Sequence, residues 1–244
     1  MMQSCDRHCA QCLQKLCTHG IPIFSSLAYE QLKEIATLTV HKNFPKGAVI
    51  IEENSLPGYL AIVSKGSVKA SKYTLDGREQ ILYVFSEGDF WGEQNLLFDR
   101  QILHRVTTLE PVSLCLLYKE DFQNLIQRFP DIGLKIIQAL GWRLAHLENA
   151  VQNMGVRSLE ARISTVLLEL AEQYGTPGPD GILVNMPLSR EGLANYIGIA
   201  RETVSRKLGA LESEGIIRSI SGKLMLIIDR SALEATAGMG QSEL

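Results

Sequence analysis

The chain has 244 residues, of which 45% are hydrophobic and 21% charged, a balance that marks an ordinary soluble globular protein with room for two domains and a core in each. A formal net charge of −3 excludes a uniformly basic nucleic-acid coat protein, so any contact with nucleic acid has to come from a local patch. No apolar run approaches the roughly 18 to 20 residues of a membrane span, because the best stretch, LKIIQALGWRLAHL, carries Arg143 and His146 inside it.

The first residues, MMQSCDRHCAQC, lack the basic and apolar regions of a secretory signal, which predicts a cytoplasmic protein without membrane attachment. Structural disulfides are rare in that compartment. Four cysteines within the first 17 residues therefore point to metal binding or redox sensing. From Phe24 to Tyr118, short apolar segments alternate with Gly, Pro and Asp turns, the spacing of an antiparallel β-sandwich or jelly roll. After Pro130 the period changes. Ile137, Leu140, Leu144, Leu147, Val151 and Met154 follow at spacings of three and four, a heptad stripe. One long helix packed on its own domain would account for it, but a parallel homodimer seam fits better, since two copies match a palindromic DNA site. Arg157–Tyr174 reads as another amphipathic helix, GTPGPDG (175–181) as a loop, and Ile216–Ile228 as a hairpin turning at Ser221-Gly222.

Between loop and hairpin lies the segment that can read DNA. Ser189 is placed to cap a helix through Ile197, Gly198 supplies a tight turn, and a second helix starts near Arg201. Leu193, Ile197, Ile199, Val204, Leu208 and Leu211 fall where two crossed helices bury them. From Pro187 to Lys223, six basic residues face four acidic ones, a local excess of +2. Arg206 can donate two bonds to guanine O6 and N7, and Glu202 can accept from cytosine N4. Ser205 is small enough for close approach. Arg201, Arg190 and Lys207 are candidates for phosphate contacts or an added base contact.

The run Arg201-Glu202-Thr203-Val204-Ser205-Arg206 after Gly198-Ile199, preceded by a β-roll and a long helix, resembles the CRP/FNR family of bacterial regulators over nearly the whole chain. The resemblance implies an α+β protein and not an enzyme: an N-terminal double-stranded β-roll, a long dimerisation helix and a C-terminal winged helix-turn-helix. It divides the chain into a cysteine-rich segment (1–22), β-roll (23–128), dimerisation helix (129–156), DNA-binding domain (157–237) and tail (238–244). Glu202, Ser205 and Arg206 match members that read TTGA-type half-sites in a palindromic operator. RNA polymerase is implied as a partner. Ala200 departs from the Ser or Thr usual before this helix.

The cyclic-nucleotide members carry Gly-Glu followed some ten residues later by Arg-Ser, which holds the cyclic phosphate. Gly92-Glu93 is present here, but Ile102 and Leu103 stand where Arg-Ser should be, so no cyclic nucleotide is expected and Gly92-Glu93 reads as a retained turn. Cys9, Cys12 and Cys17 form C-x2-C-x4-C, and Cys115 sits in the strand-like VSLCLLY. Three loop thiolates and one strand thiolate can supply the four ligands of an iron–sulfur cluster. FNR-type oxygen sensors look like this, and the likeness assigns a [4Fe-4S] cluster to Cys9, Cys12, Cys17 and Cys115, with Cys5 as an extra cysteine. The last spacing is one residue shorter than theirs. A thiol–disulfide pair joining Cys5 or Cys9 to Cys115, or zinc drawing on His8 and His19, are the other readings. A jelly-roll metabolite-binding module with an incidental helical tail fits poorly, because it leaves Glu202, Ser205 and Arg206 unexplained.

Overall fold

The computed structural model describes residues 21–98, 100–156 and 158–238. Cys5, Cys9, Cys12 and Cys17, with His8 and His19, lie outside the described residues. The chain divides into two compact units, Met1–Lys72 with Leu82–Ala145 and Tyr73–Ile81 with His146–Leu244.

The first unit carries the expected β-roll. A 3-10 turn (Pro22–Phe24) and helix α1 (Tyr29–Leu38) precede eight strands: β1 Val40–Phe44, β2 Val49–Ile51, β3 Tyr59–Lys65, β4 Val68–Tyr73, β5 Glu79–Phe85, β6 Phe90–Trp91, β7 Arg105–Thr108 and β8 Val112–Tyr118. They form two antiparallel sheets ordered β1-β8-β3-β6 and β2-β7-β4-β5. Helix α2 (Glu93–Phe98) lies between β6 and β7, and α3 (Lys119–Arg128) and the long α4 (Pro130–Val156) follow β8.

Strand β8 shows why VSLCLLY reads as continuous apolar sequence. Successive side chains alternate faces, and both faces of its sheet are covered. Leu114 and Leu116 pack with Ala61, Val63, Phe85 and Val106 between the two sheets. Cys115 and Leu117 face the other way, into a core with Phe24, Ile35, Phe122 and Ile132 from the flanking helices.

The second unit begins with α5 (Leu159–Tyr174), capped by the Ser158 hydroxyl, which accepts the Ala161 N–H at 3.2 Å. Next come β9 (Gly175–Gly178), β10 (Gly181–Asn185), α6 (Arg190–Ile197), α7 (Arg201–Ser213), β11 (Ile217–Ser221), β12 (Leu224–Ile227) and α8 (Arg230–Thr236). GTPGPDG is not simply a loop: Gly175–Gly178 pair with β10 at the edge of a sheet ordered β11-β12-β10-β9. An edge strand tolerates Pro177 because it has a neighbour on one side only, which lowers the demand for backbone donors. Ile163, Leu167, Leu193, Val204, Leu211 and Ile227 share one core. Among the described residues no helix is long and apolar enough to cross a membrane.

Glu169 on α5 is mostly buried and has Glu172 nearby; burial first and this second carboxylate raise its pKa to about 7. A carboxyl that ionises more readily unfolded than folded adds no penalty below its ordinary pKa of 4.5, then costs stability as pH rises through about 7. Glu169→Gln should therefore leave the urea midpoint nearly unchanged at pH 4 and raise stability at pH 8 by on the order of 2 kcal/mol.

Candidate nucleic-acid interface and sensor region

The helix-turn-helix is built from local signals. The Ser189 hydroxyl accepts the Gly192 N–H at 3.1 Å, starting α6. Gly198 ends it in the left-handed region at φ 78°, ψ 39°, where a side chain would be strained. Arg162 of α5 donates to the Ile197 carbonyl, satisfying an acceptor that the helix end leaves over. Ala200 is the residue before α7 and makes no side-chain cap, as its lack of an acceptor dictates.

Val204, Leu208 and Leu211 are buried along one face of α7. Arg201, Glu202 and Arg206 are exposed and Ser205 is half-buried. The four candidate base-reading and backbone-reading residues thus line the first turns of one helix, on the side its apolar stripe leaves free. Arg190 is exposed at the start of α6, and its Nη2 lies 3.4 Å from the Ser219 hydroxyl of β11. Lys207 behaves differently. Its Nζ donates to Glu160 of α5 at 2.9 Å, with both side chains about one-third exposed, so it braces α7 against α5.

In the β-roll, Gly92 has φ 98°, and a Cβ there would stand 2.4 Å from the Tyr59 carbonyl oxygen, so only glycine passes. The turn delivers Glu93 to the interior, 4% exposed. Gly92-Glu93 is therefore more than a retained turn. Arg143 of α4 donates to Glu93 Oε1 at 3.2 Å and to the Phe90 carbonyl. Its guanidinium also lies 4.7 Å from the centre of the Phe90 ring and 5.1 Å from that of Phe85. Burial pushes the Glu93 carboxyl up, and Arg143 pulls it partly back. Asp89 is raised for the same first reason and eased by the Ser86 N–H and by Arg143. Sequence reasoning missed this pair. The available signal was a lone arginine inside the apolar stretch of α4. Where the cyclic phosphate's Arg-Ser would stand, Ile102 is buried among apolar side chains and Leu103 is 56% exposed.

Cys115 is fully buried, with Ile62 and His41 as its cross-strand neighbours and its Sγ 3.6 Å from His41 Nδ1. Among the described residues, no three metal-ligating side chains converge. Ile21 and Ile23 join the same core as Cys115, which brings the first described residues to that side of the sheet.

On α4, Ile137 is 65% and Leu144 58% exposed, Leu147 is 38% exposed, and Leu140 is half-buried against the β-roll core. Val151 and Met154 fall on the helix, but their side chains lie outside the described residues.

A β-roll joined to a helix-turn-helix with an exposed polar recognition face defines a DNA-binding transcription regulator. Residues 41–129 match the cyclic nucleotide-binding domain and residues 161–236 the Crp-like helix-turn-helix domain. The chain is 31% identical over 218 residues to a probable transcriptional regulator, flp, of Lacticaseibacillus casei, covering 89% of this chain and 96% of that one. It is 28% identical over 195 residues to a CRP-like cAMP-activated global transcriptional regulator of Mycobacterium tuberculosis, covering 80% and 87%. The fold superposes on a CooA mutant from Carboxydothermus hydrogenoformans with a TM-score of 0.75 at 20% identity, covering 88% and 94%. The chain belongs to the CRP/FNR family of transcription regulators.

The Glu93–Arg143 pair is 6% and 16% exposed at its side chains. Arg143→Met should lower the stability of the β-roll by about 3 kcal/mol, because it strands a buried carboxylate, and adding Glu93→Gln should recover most of that loss. Urea unfolding of the single and double variants measures both.

Proposed function

We propose that the protein is a homodimer that reads a TTGA-type palindrome through Glu202, Ser205 and Arg206, and that its cysteines set its activity through a [4Fe-4S] cluster. The observation that carries the DNA reading is the phase of α7: burial of Val204, Leu208 and Leu211 turns Glu202 and Arg206 outward together. Arg206 then pairs with guanine, Glu202 accepts from cytosine on the other strand, and Ser205 allows close approach to the groove. Arg201 and Arg190 hold the backbone. Lys207, paired with Glu160, is left out of this set.

Dimerisation is supported by the unpartnered apolar stripe of Ile137, Leu144 and Leu147 on α4. Two copies joined along it would present two recognition helices to successive major grooves. For the sensor, Cys9, Cys12 and Cys17 with Cys115 would hold the cluster, which when bound supplies an oxygen-labile cross-link between the cysteine-rich segment and β8. The apolar core around Cys115 keeps water from its sulfur, and His41 stands beside it. Loss of that cross-link frees the segment from the β-roll. The buried apolar Ile102 supports an effector other than a cyclic nucleotide.

Anaerobic purification followed by iron and sulfide analysis tests the sensor reading. A brown protein that loses iron on substitution of Cys115→Ser supports it, while a colourless protein with an air-formed disulfide favours the thiol switch. Arg206→Ala should weaken binding to the TTGA palindrome by about 10- to 100-fold, the loss of one bidentate base contact, and spare binding to unrelated duplex. Leu144→Glu should shift the protein toward monomer in light scattering and lower operator affinity with it.

A further inference from the structure

The recognition helix, the wing and the first helix of the motif meet at one carboxylate. Glu212 lies in the last turn of α7, and its Oε1 accepts the backbone N–H of Ser219 in β11 at 3.0 Å. This bond with Ser219, and more weakly the charge of Arg190, hold the Glu212 carboxyl below its ordinary range. Ser219 is also where the wing hairpin changes register: it pairs with Met225, whereas Ser221 pairs with Leu224. A bulge there leaves the strand free to bend. The bond from Glu212 fixes it at that point. The hydroxyl of the same serine lies 3.4 Å from Nη2 of Arg190, and all three residues border one cleft with Arg218.

A glutamate so close to a DNA-facing surface repels phosphate unless it has another task. Its carboxylate accepts the Ser219 N–H, and the hydroxyl of that serine lies beside the Arg190 guanidinium. We propose that Glu212 is a positioning residue for DNA binding: it anchors the wing at Ser219 and thereby aims Arg190 at the phosphodiester strand that flanks the recognition helix. The proposal rests on the reading of Arg190 as a backbone contact given above. Glu212 itself touches no DNA.

The test is binding of the full chain to a mixed-sequence duplex lacking TTGA as a function of potassium chloride, since such binding counts phosphate contacts independently of base reading. Arg190→Ala should reduce the slope of log K against log salt by about one per protomer. Glu212→Ala should reduce it by the same amount, and the Arg190→Ala/Glu212→Ala double variant should be no worse than Arg190→Ala alone. Glu212→Gln keeps an oxygen that accepts the Ser219 N–H and should restore the wild-type slope and slow amide exchange at Ser219. Ser219→Ala, which keeps the backbone bond but removes the hydroxyl beside Arg190, should lower the slope and keeps the test open if Glu212→Ala does not fold. An unchanged slope in Arg190→Ala overturns the backbone-contact reading and this proposal together. An active Arg190 with an unchanged slope in Glu212→Ala, a higher affinity in that variant, or additive losses in the double variant overturn this proposal alone.

Discussion

Burial of Val204, Leu208 and Leu211 is the constraint on which the DNA-reading surface depends. Spaced at i, i+4 and i+7, they leave α7 a single rotational phase against the core shared with Leu193, Ile197 and Ile217. A helix that must hide those three side chains has no choice about which others it shows. The base contacts proposed for Glu202 and Arg206 would thus be made by residues whose direction is already fixed by packing. Mixed charge at Glu202 and Arg206 is tolerable there because neither is asked to pack.

The same logic explains which parts of this molecule were legible in the sequence. The β-roll, the long helix and the helix-turn-helix follow from periodicity and from turn residues close together in the chain, and Ser189 and Gly198 mark their boundaries with side-chain and backbone chemistry that acts over a few residues. Long-range polar pairs leave no such trace. Glu93 and Arg143 are fifty positions apart, and Lys207 reaches Glu160 from another helix. The β9 strand was hidden because glycine and proline signal turns wherever they fall, and an edge strand makes few demands on its residues.

The β-roll interior shows what a buried carboxylate demands of its neighbours. Glu93 enters on a turn only glycine allows, and a carboxylate delivered to that depth needs a cation. In this chain the cation is Arg143 of α4, held between carboxylate, carbonyl and two aromatic rings. Position 102 offers an apolar side chain instead, packed into the space between the sheets.

That pairing also bears on the seam. Ile136, Leu140 and Arg143 recur at i, i+4 and i+7, and all three are turned toward the β-roll, Ile136 at 2% exposure and Leu140 half-buried. Ile137 and Leu144, seven residues apart, then lie on a different face and remain exposed at 65% and 58%. A helix with two apolar stripes needs two surfaces to bury them, and its own domain supplies one. The phase of α4 is set by the inner stripe and by the Glu93 ion pair, so the outer stripe faces outward in a fixed direction. Arg143 and Leu144 are neighbours on one helix, so the ion pair that holds Arg143 against Glu93 also helps fix the direction in which Leu144 is presented.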